Sequence, residues 1–267
     1  MFNSGNSSRR TKQSEAVKMI KKPLPRLIYK SENNFTMDDK ATVISLLPDL
    51  EEIDLSWNDF IGGALEPLAL QFKHLQELKI LQLNSCRLTT KDVACLGEAL
   101  EGISHLEILD LSWNPGIGGS LSLLTSKILK GSKLHTLKVT DCCLTQEDGK
   151  SLDAAFQYLS ELRILDVSCN KLIGGVFQSL AGHLANLSNL EILNLHQCCI
   201  TEKDMLVLSQ IIPLLSNLRE LNLSSNTNAG ISTYHLLSRL RFLPKLTSVL
   251  LSNCALQHDS FLSLGTT

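Results

Sequence analysis

The chain has 267 residues, 43% of them hydrophobic but only 5% aromatic, and a formal net charge of −2. It is long enough to bury a sizeable core, and with so few aromatic residues leucine must fill the interior. No run free of Asp, Glu, Lys and Arg, 205–218 among them, reaches the ~20 apolar residues of a membrane span, and the N-terminal MFNSGNSSRR has no apolar segment behind its charges to serve as a secretory signal; the expectation is a cytoplasmic, reducing setting.

In chain order, residues 1–36 hold eight basic residues against Glu15 and Glu32, which leaves the body at −8. We expect 1–35 to be a basic, mostly disordered arm, either a solvated tail or a contact for an acidic partner. Residues 36–48 include MDDKATVISLL, which reads as a helix with Ile44 and Leu47 on one face and so as a partial N-terminal cap.

From residue 49 to 267 one pattern governs. Leu50-x-x-Ile53-x-Leu55 recurs as Leu78-x-x-Leu81-x-Leu83 and continues from Leu106, Leu134, Leu162, Leu190, Leu218 and Leu246, every anchor 28 residues after the last. The period-2 alternation predicts a short strand with its leucines inward. Three residues past each anchor stands Asn58, Cys86, Asn114, Cys142, Asn170, Cys198, Asn226 or Cys254, in strict alternation, so the full period is a 56-residue pair. Each is placed to enter the stack and bond backbone groups left unpaired where the chain turns off the strand.

A helix should follow each strand. In the Cys units Thr89-x-x-Asp92, Thr145-x-x-Asp148 and Thr201-x-x-Asp204 read as N-caps. In the Asn units Ile61-Gly62-Gly63, Ile117-Gly118-Gly119 and Ile173-Gly174-Gly175 are expected to open the helix instead, with Leu65, Leu68, Phe72 and Leu75 on one face behind the first. The fourth Asn unit, NTNAGIST, departs from this and predicts a displaced helix start. The eighth unit ends in FLSLGTT and reads as C-terminally truncated, giving about eight 28-residue repeats.

These motifs resemble leucine-rich repeats of the ribonuclease-inhibitor-like subfamily, which alternates units written roughly as LxxLxLxxC-x-LT and LxxLDLSxN-x-[IL]G. The resemblance covers Leu50 to about Leu264. It implies an α/β leucine-rich repeat solenoid, a horseshoe with parallel strands on the concave face and helices on the convex face. It also implies a family of inhibitors, receptor sensing domains and regulators of small GTPases, among which fold alone cannot choose.

No enzyme is indicated. The eight cysteines include no C-x-x-C, and no His stands at zinc-finger spacing, so buried reduced thiols are expected and no metal. The glycine pairs lack G-x-G-x-x-G or G-K-[ST] context and recur in three layers, so close packing of turns explains them better than a phosphate cradle. No cofactor, small-molecule substrate or nucleic acid is expected; the expected partner is an unidentified protein held on the concave face. Candidate contacts there are the mildly acidic column Asp54, Asp110 and Asp166, interrupted by Lys138, and the apolar stripe containing Ile80 and Ile108, each of which a solvated sheet face would also explain. Trp57 and Trp113 stand at the strand ends two layers apart, where later repeats have Cys169 and Ser225, so the repeat does not require them. Partner anchors and partial burial against the glycine pairs are both open for them. A GTPase-activating role is the alternative function, although Gly265-Thr266-Thr267 offers no acidic tail; ribonuclease inhibition ranks lower, because the acidic, Trp-rich hollow it would need is thin.

Overall fold

The computed structural model describes residues 26–28, 36–177, 182–229 and 233–256. Its strands are β1 (Arg26–Ile28), β2 (Glu52–Asp54), β3 (Ile80–Gln82), β4 (Ile108–Asp110), β5 (Thr136–Lys138), β6 (Ile164–Asp166), β7 (Ile192–Asn194), β8 (Glu220–Asn222) and β9 (Ser248–Leu250). They form one parallel sheet in chain order, in which Ile53 pairs with Leu81, Leu81 with Leu109, and so on to Val249. The 28-residue spacing of the anchors is thus the register of the sheet. Helices α1 (Met37–Ser45), α2 (Glu66–Phe72), α3 (Thr90–Leu100), α4 (Ser122–Thr125), α5 (Gln146–Phe156), α6 (Glu202–Ile211) and α7 (Thr233–Leu240) return the chain between strands. Between sheet and helices the leucine anchors and central strand residues of the layers from β2 to β8, with Phe72, are almost wholly removed from water, while Leu27, Leu246, Val249 and Leu251 of the end layers are partly buried. At ~1.5–3 kcal/mol per buried aliphatic side chain, this column supplies the main driving force, which no single layer could supply alone.

β1 lies inside the 1–35 arm. It pairs with β2 at a spacing of 26, Leu27 opposite Ile53. Stepping back 28 from Ile53 reaches Pro25, which has no N–H to give a ladder; two residues on, Leu27 offers an apolar side chain that packs on the core. Arg26 grips Glu52 with Nη2–Oε1 and Nε–Oε2 distances of 2.6 Å. The rest of the arm and the FLSLGTT end lie outside the described residues.

Two kinds of junction alternate along the stack. From a Cys unit to the Asn unit after it, the Asn amide reaches back: Asn114 Oδ1 accepts from Cys86 N–H (2.9 Å) and Leu88 N–H (3.0 Å), while its Nδ2 donates to Leu83 O (2.8 Å) and Leu111 O (2.7 Å). Asn170 and Asn226 repeat the set on Cys142 and Leu144, and on Cys198 and Ile200. From an Asn unit to the Cys unit after it, the thiol and the capping carboxylate do the work. Cys86 Sγ donates to Leu55 O at 3.1 Å. Asp92 completes the capping box of α3 with Thr89 and also accepts Gly63 N–H (2.6 Å) and Leu65 N–H (3.0 Å) of the preceding layer. Asp148 and Asp204 do the same for Gly119 and Leu121, and for Gly175 and Phe177.

The glycine pairs open helices less directly than the sequence suggests. The helix starts only at Glu66 in the first Asn unit and is a single turn, Ser122–Thr125, in the second; the corresponding stretch of the third runs into 178–181, outside the described residues. The cause is conformational. Gly63 and Gly119 sit at φ +78°, outside the helical region, and a Cβ on Gly62 or Gly118 would overlap the carbonyl oxygen of Arg87 or Cys143 in the next layer. In the fourth Asn unit a 3-10 turn at Thr227–Ala229 precedes α7, which starts at Thr233.

Candidate functional site

The residues flanking each buried central strand residue face away from the core, and the sheet register lines them up. Asp54, Gln82, Asp110, Lys138, Asp166, Asn194, Asn222 and Leu250 form one row, and Glu52, Ile80, Ile108 and Thr136 begin the other. The aspartates, however, are first of all braces. Asp54 Oδ1 accepts Ser56 N–H (3.0 Å), Asp110 Oδ1 accepts Ser112 N–H (3.1 Å), and Asp166 Oδ1 accepts both N–H (3.0 Å) and Oγ–H (2.6 Å) of Ser168. Such side-chain bonds to the backbone two residues on hold the bend at the strand end. Asp166 also takes the Asn194 amide at 2.9 Å, and Asp110 is 5% exposed with Lys138 Nζ 4.0 Å away. Of the three carboxylates Asp54 is the most available to an incoming group. Ile80 and Ile108 are half-buried.

Beyond the bend the chain enters the left-handed region. Trp57 and Trp113 have φ of 63° and 62°, and their N–H groups donate across the layer to Asn84 O and Thr140 O, both at 2.7 Å. Ser85, Asp141, Cys169, Gln197, Ser225 and Asn253 occupy the same conformation in the other layers. A backbone of this kind favours Gly or Asn and gives an indole nothing in return. The indoles are instead presented to solvent, Trp57 68% and Trp113 49% exposed. The Cβ positions of Gly62 and Gly118 are taken by the next layer's carbonyl and those of Gly63 and Gly119 have nothing within 4 Å, so neither ring rests on the second glycine of its pair.

Sequence reasoning did not single out Phe60, which is 75% exposed and joins Trp57, Asp59 and Ser85 in lining a shallow depression of ≈270 Å³. Arg87 pairs with Asp59 at 3.0 Å beside it. The available signal was positional: the matching residues Gly116, Leu172 and Asn228 share no character, so Phe60 is not set by the repeat. The structure therefore brings Trp57 and Phe60 together on the strand-end ridge, with Trp113 two layers along the same row.

The cysteines behave as scaffold. All eight are free thiols, and among the described residues no group of three or more His, Cys, Asp or Glu could hold a metal ion. Burial pushes the Cys142 and Cys198 thiols up to about 12 and Cys86 to about 11, against the smaller opposing pull of nearby backbone groups. Thiols so reluctant to ionise are poor nucleophiles and poor metal ligands. The expectation of buried thiols holds for the four column positions Cys86, Cys142, Cys198 and Cys254 but not for Cys95 and Cys169, which are partly exposed. Nor does it hold for Cys143 and Cys199, which are exposed because they follow the column residue and turn away from the stack.

Comparison with known proteins places this arrangement. The family described as PRAME C-terminal domain matches residues 33–266. Pig (Sus scrofa) ribonuclease inhibitor is 31% identical over 183 residues, 67% of this chain and 40% of the inhibitor. NLR family CARD domain-containing protein 4 of Xenopus tropicalis is 27% identical over 159 residues, 58% of this chain and 16% of that protein. The chain thus spans less than half the length of these curated relatives. An internalin from Listeria monocytogenes superposes with a TM-score of 0.52 at 18% identity, covering 84% of this chain and 61% of the internalin, which attests the leucine-rich repeat solenoid and nothing further.

Proposed function

The chain belongs to the PRAME C-terminal domain family and carries ribonuclease-inhibitor-like leucine-rich repeats, and from that premise we propose that it is a non-catalytic scaffold holding a partner protein on its concave face. One observation carries the reading: two exposed tryptophans stand on a rigid ridge at the rim of that face, in a backbone conformation that does not favour them. Large aromatic residues held on a fixed support are favoured anchors in protein interfaces, because they bury much area for little lost freedom. Asp54, Asp110, Asp166, Lys138, Ile80 and Ile108 line the sheet beside the ridge, and in this reading Asp54 and the isoleucines contribute more contact than the braced Asp110 and Asp166. Eight free thiols support a cytoplasmic, reducing setting. The combination of LSWN, Gly-Gly and alternating Cys more narrowly resembles vertebrate leucine-rich repeat-containing protein 31, and that kinship is part of the proposal.

The test is affinity capture with the intact chain beside Trp57→Ala/Trp113→Ala, with both melted by circular dichroism. A partner retained by the first and lost by the second at equal melting temperature is the expected result. Capture that survives the double substitution would move the site elsewhere, and a fallen melting temperature would make the indoles structural. A GTP-hydrolysis assay on a small-GTPase panel tests the regulator alternative, and a ribonuclease A inhibition assay tests the inhibitor one, for which the likeness to the pig protein is the reason to look.

A further inference from the structure

The layer built on β4 has a thin outer wall. Its helix α4 is one turn, whereas α3 and α5 on either side each run for 11 residues. Residues 126–133 must therefore close the layer as a loop, which turns at Gly131 (φ +92°) and leaves Leu129 59% exposed at its lip. Beneath that lip lies a recess of ≈170 Å³, walled by Ile103, Leu109, Ile128 and Leu134 and rimmed by Lys127, its ion-pair partner Glu101, and Lys130. Leu109 is otherwise a core residue with no exposed surface, so the recess reaches the hydrophobic interior.

We propose that this recess is a docking site for an acidic segment of a partner protein, seated by one leucine- or phenylalanine-sized side chain. Size argues for a side chain and against a whole metabolite. An apolar cavity of about 150 Å³ accommodates a benzene-sized group, while pockets for complete small ligands run to roughly 300–1,000 Å³. Charge sets the character of the segment. The loop SKILKGSK carries three lysines and no carboxylate on a body that is otherwise acidic. Lys127 is held by Glu98 (2.9 Å) and Glu101 (3.0 Å), whereas among the described residues Lys130 and Lys133 have no ion-pair partner. An acidic segment entering over Leu129 meets the Lys130 ammonium at the rim, with Lys133 three residues further along the same loop, while its apolar side chain fills the recess. The site is separate from the tryptophan ridge, so each stands or falls on its own readout.

Methyl NMR on the full chain, labelled at Ile and Leu, tests this with the peptide EDELDE and its alanine counterpart EDEADE. The expected result is saturable shifts centred on Ile103, Ile128 and Leu129, with the alanine peptide at least ~10-fold weaker, the cost of losing one buried aliphatic side chain. Lys130→Glu with Lys133→Glu should weaken EDELDE by about 10-fold and leave the unperturbed methyl spectrum and the melting curve in place. Equal binding of the two peptides, shifts centred on other methyls, or no shift at ~5 mM peptide, beyond even a millimolar affinity, would each overturn the proposal. So would free hexanoate moving the same methyls as strongly as the peptide, since that would assign the recess to a small carboxylate.

Discussion

Replacing Asn114 by alanine should be among the most damaging single changes in the chain, although it removes only three heavy atoms beyond the shared Cβ. Asn114 is fully buried. Its loss strands Cys86 N–H, Leu88 N–H and Leu83 O, all in the preceding layer and all bonded to this one amide. A buried polar group left without a partner costs about 1–3 kcal/mol, and a water drawn into the vacated space recovers part of it. The sum is about 4 kcal/mol, a large share of the ~5–15 kcal/mol that holds a typical domain together. Cys142→Ala is the matched control: it removes one weak thiol bond to Leu111 O at 3.3 Å and a small volume, and should cost about 1–2 kcal/mol. Urea unfolding followed by far-ultraviolet circular dichroism compares the two, and Trp113, next to Asn114 in the chain, reports local loosening by fluorescence. If Asn114→Ala lies within ~1 kcal/mol of the parent, the amide is not the clamp between layers and the reasoning fails.

The shared carboxylate gives a pH signature. Burial of Asp92 acts to raise its pKa, but the bonds from Gly63, Thr89 and Leu65 outweigh that and hold it below the usual value. Its stabilising contribution is therefore present above the unfolded value of ~3.9 and is lost as pH falls through the folded one; Asp92→Ala should cost about 2–4 kcal/mol at neutral pH and flatten the acid limb of the melting-temperature profile, and an unchanged acid limb would deny the carboxylate that role. Gly118→Ala should cost roughly 1–3 kcal/mol by pressing on the Cys143 carbonyl, more than Gly119→Ala, which strains only φ; chemical denaturation of both tests the order. Iodoacetamide at pH 8 followed by peptide mapping should modify Cys143 and Cys199 early and spare Cys86, Cys142 and Cys198 until the chain unfolds; early labelling of Cys142 would contradict its burial.

The periodic part of the fold was legible from one-letter code because each layer solves the same problem with the same residues. Strand register, the direction of Leu81 and its equivalents, the Asn and Cys columns and the Thr-x-x-Asp caps all follow from spacing alone. What spacing could not disclose is where a residue finds a partner outside its own unit. Asp92 read as the cap of α3, and nothing local announces that it also serves Gly63 and Leu65. The aspartate column read as a surface, whereas Asp110 and Asp166 are engaged by serines two residues on. β1 escaped the 28-residue count because it pairs with β2 at a spacing of 26. At the ridge the tryptophans stood out by breaking the repeat, and Phe60, which breaks it equally, was missed because its neighbours in the column are themselves dissimilar.

The two alternating junctions have a consequence for how such an array can change length. An Asn unit relies on the carboxylate of the Cys unit after it, and a Cys unit relies on the amide of the Asn unit after it. Excision of a single 28-residue unit would set like against like. Two Asn units in succession would leave Gly63 and Leu65 without their acceptor, and two Cys units would leave Cys86 and Leu88 without theirs. Gain or loss of two layers together recreates every junction intact. Duplication or deletion in such a chain is therefore quantised in steps of 56 residues, and a viable shortened or lengthened variant should differ from its parent by a whole number of them.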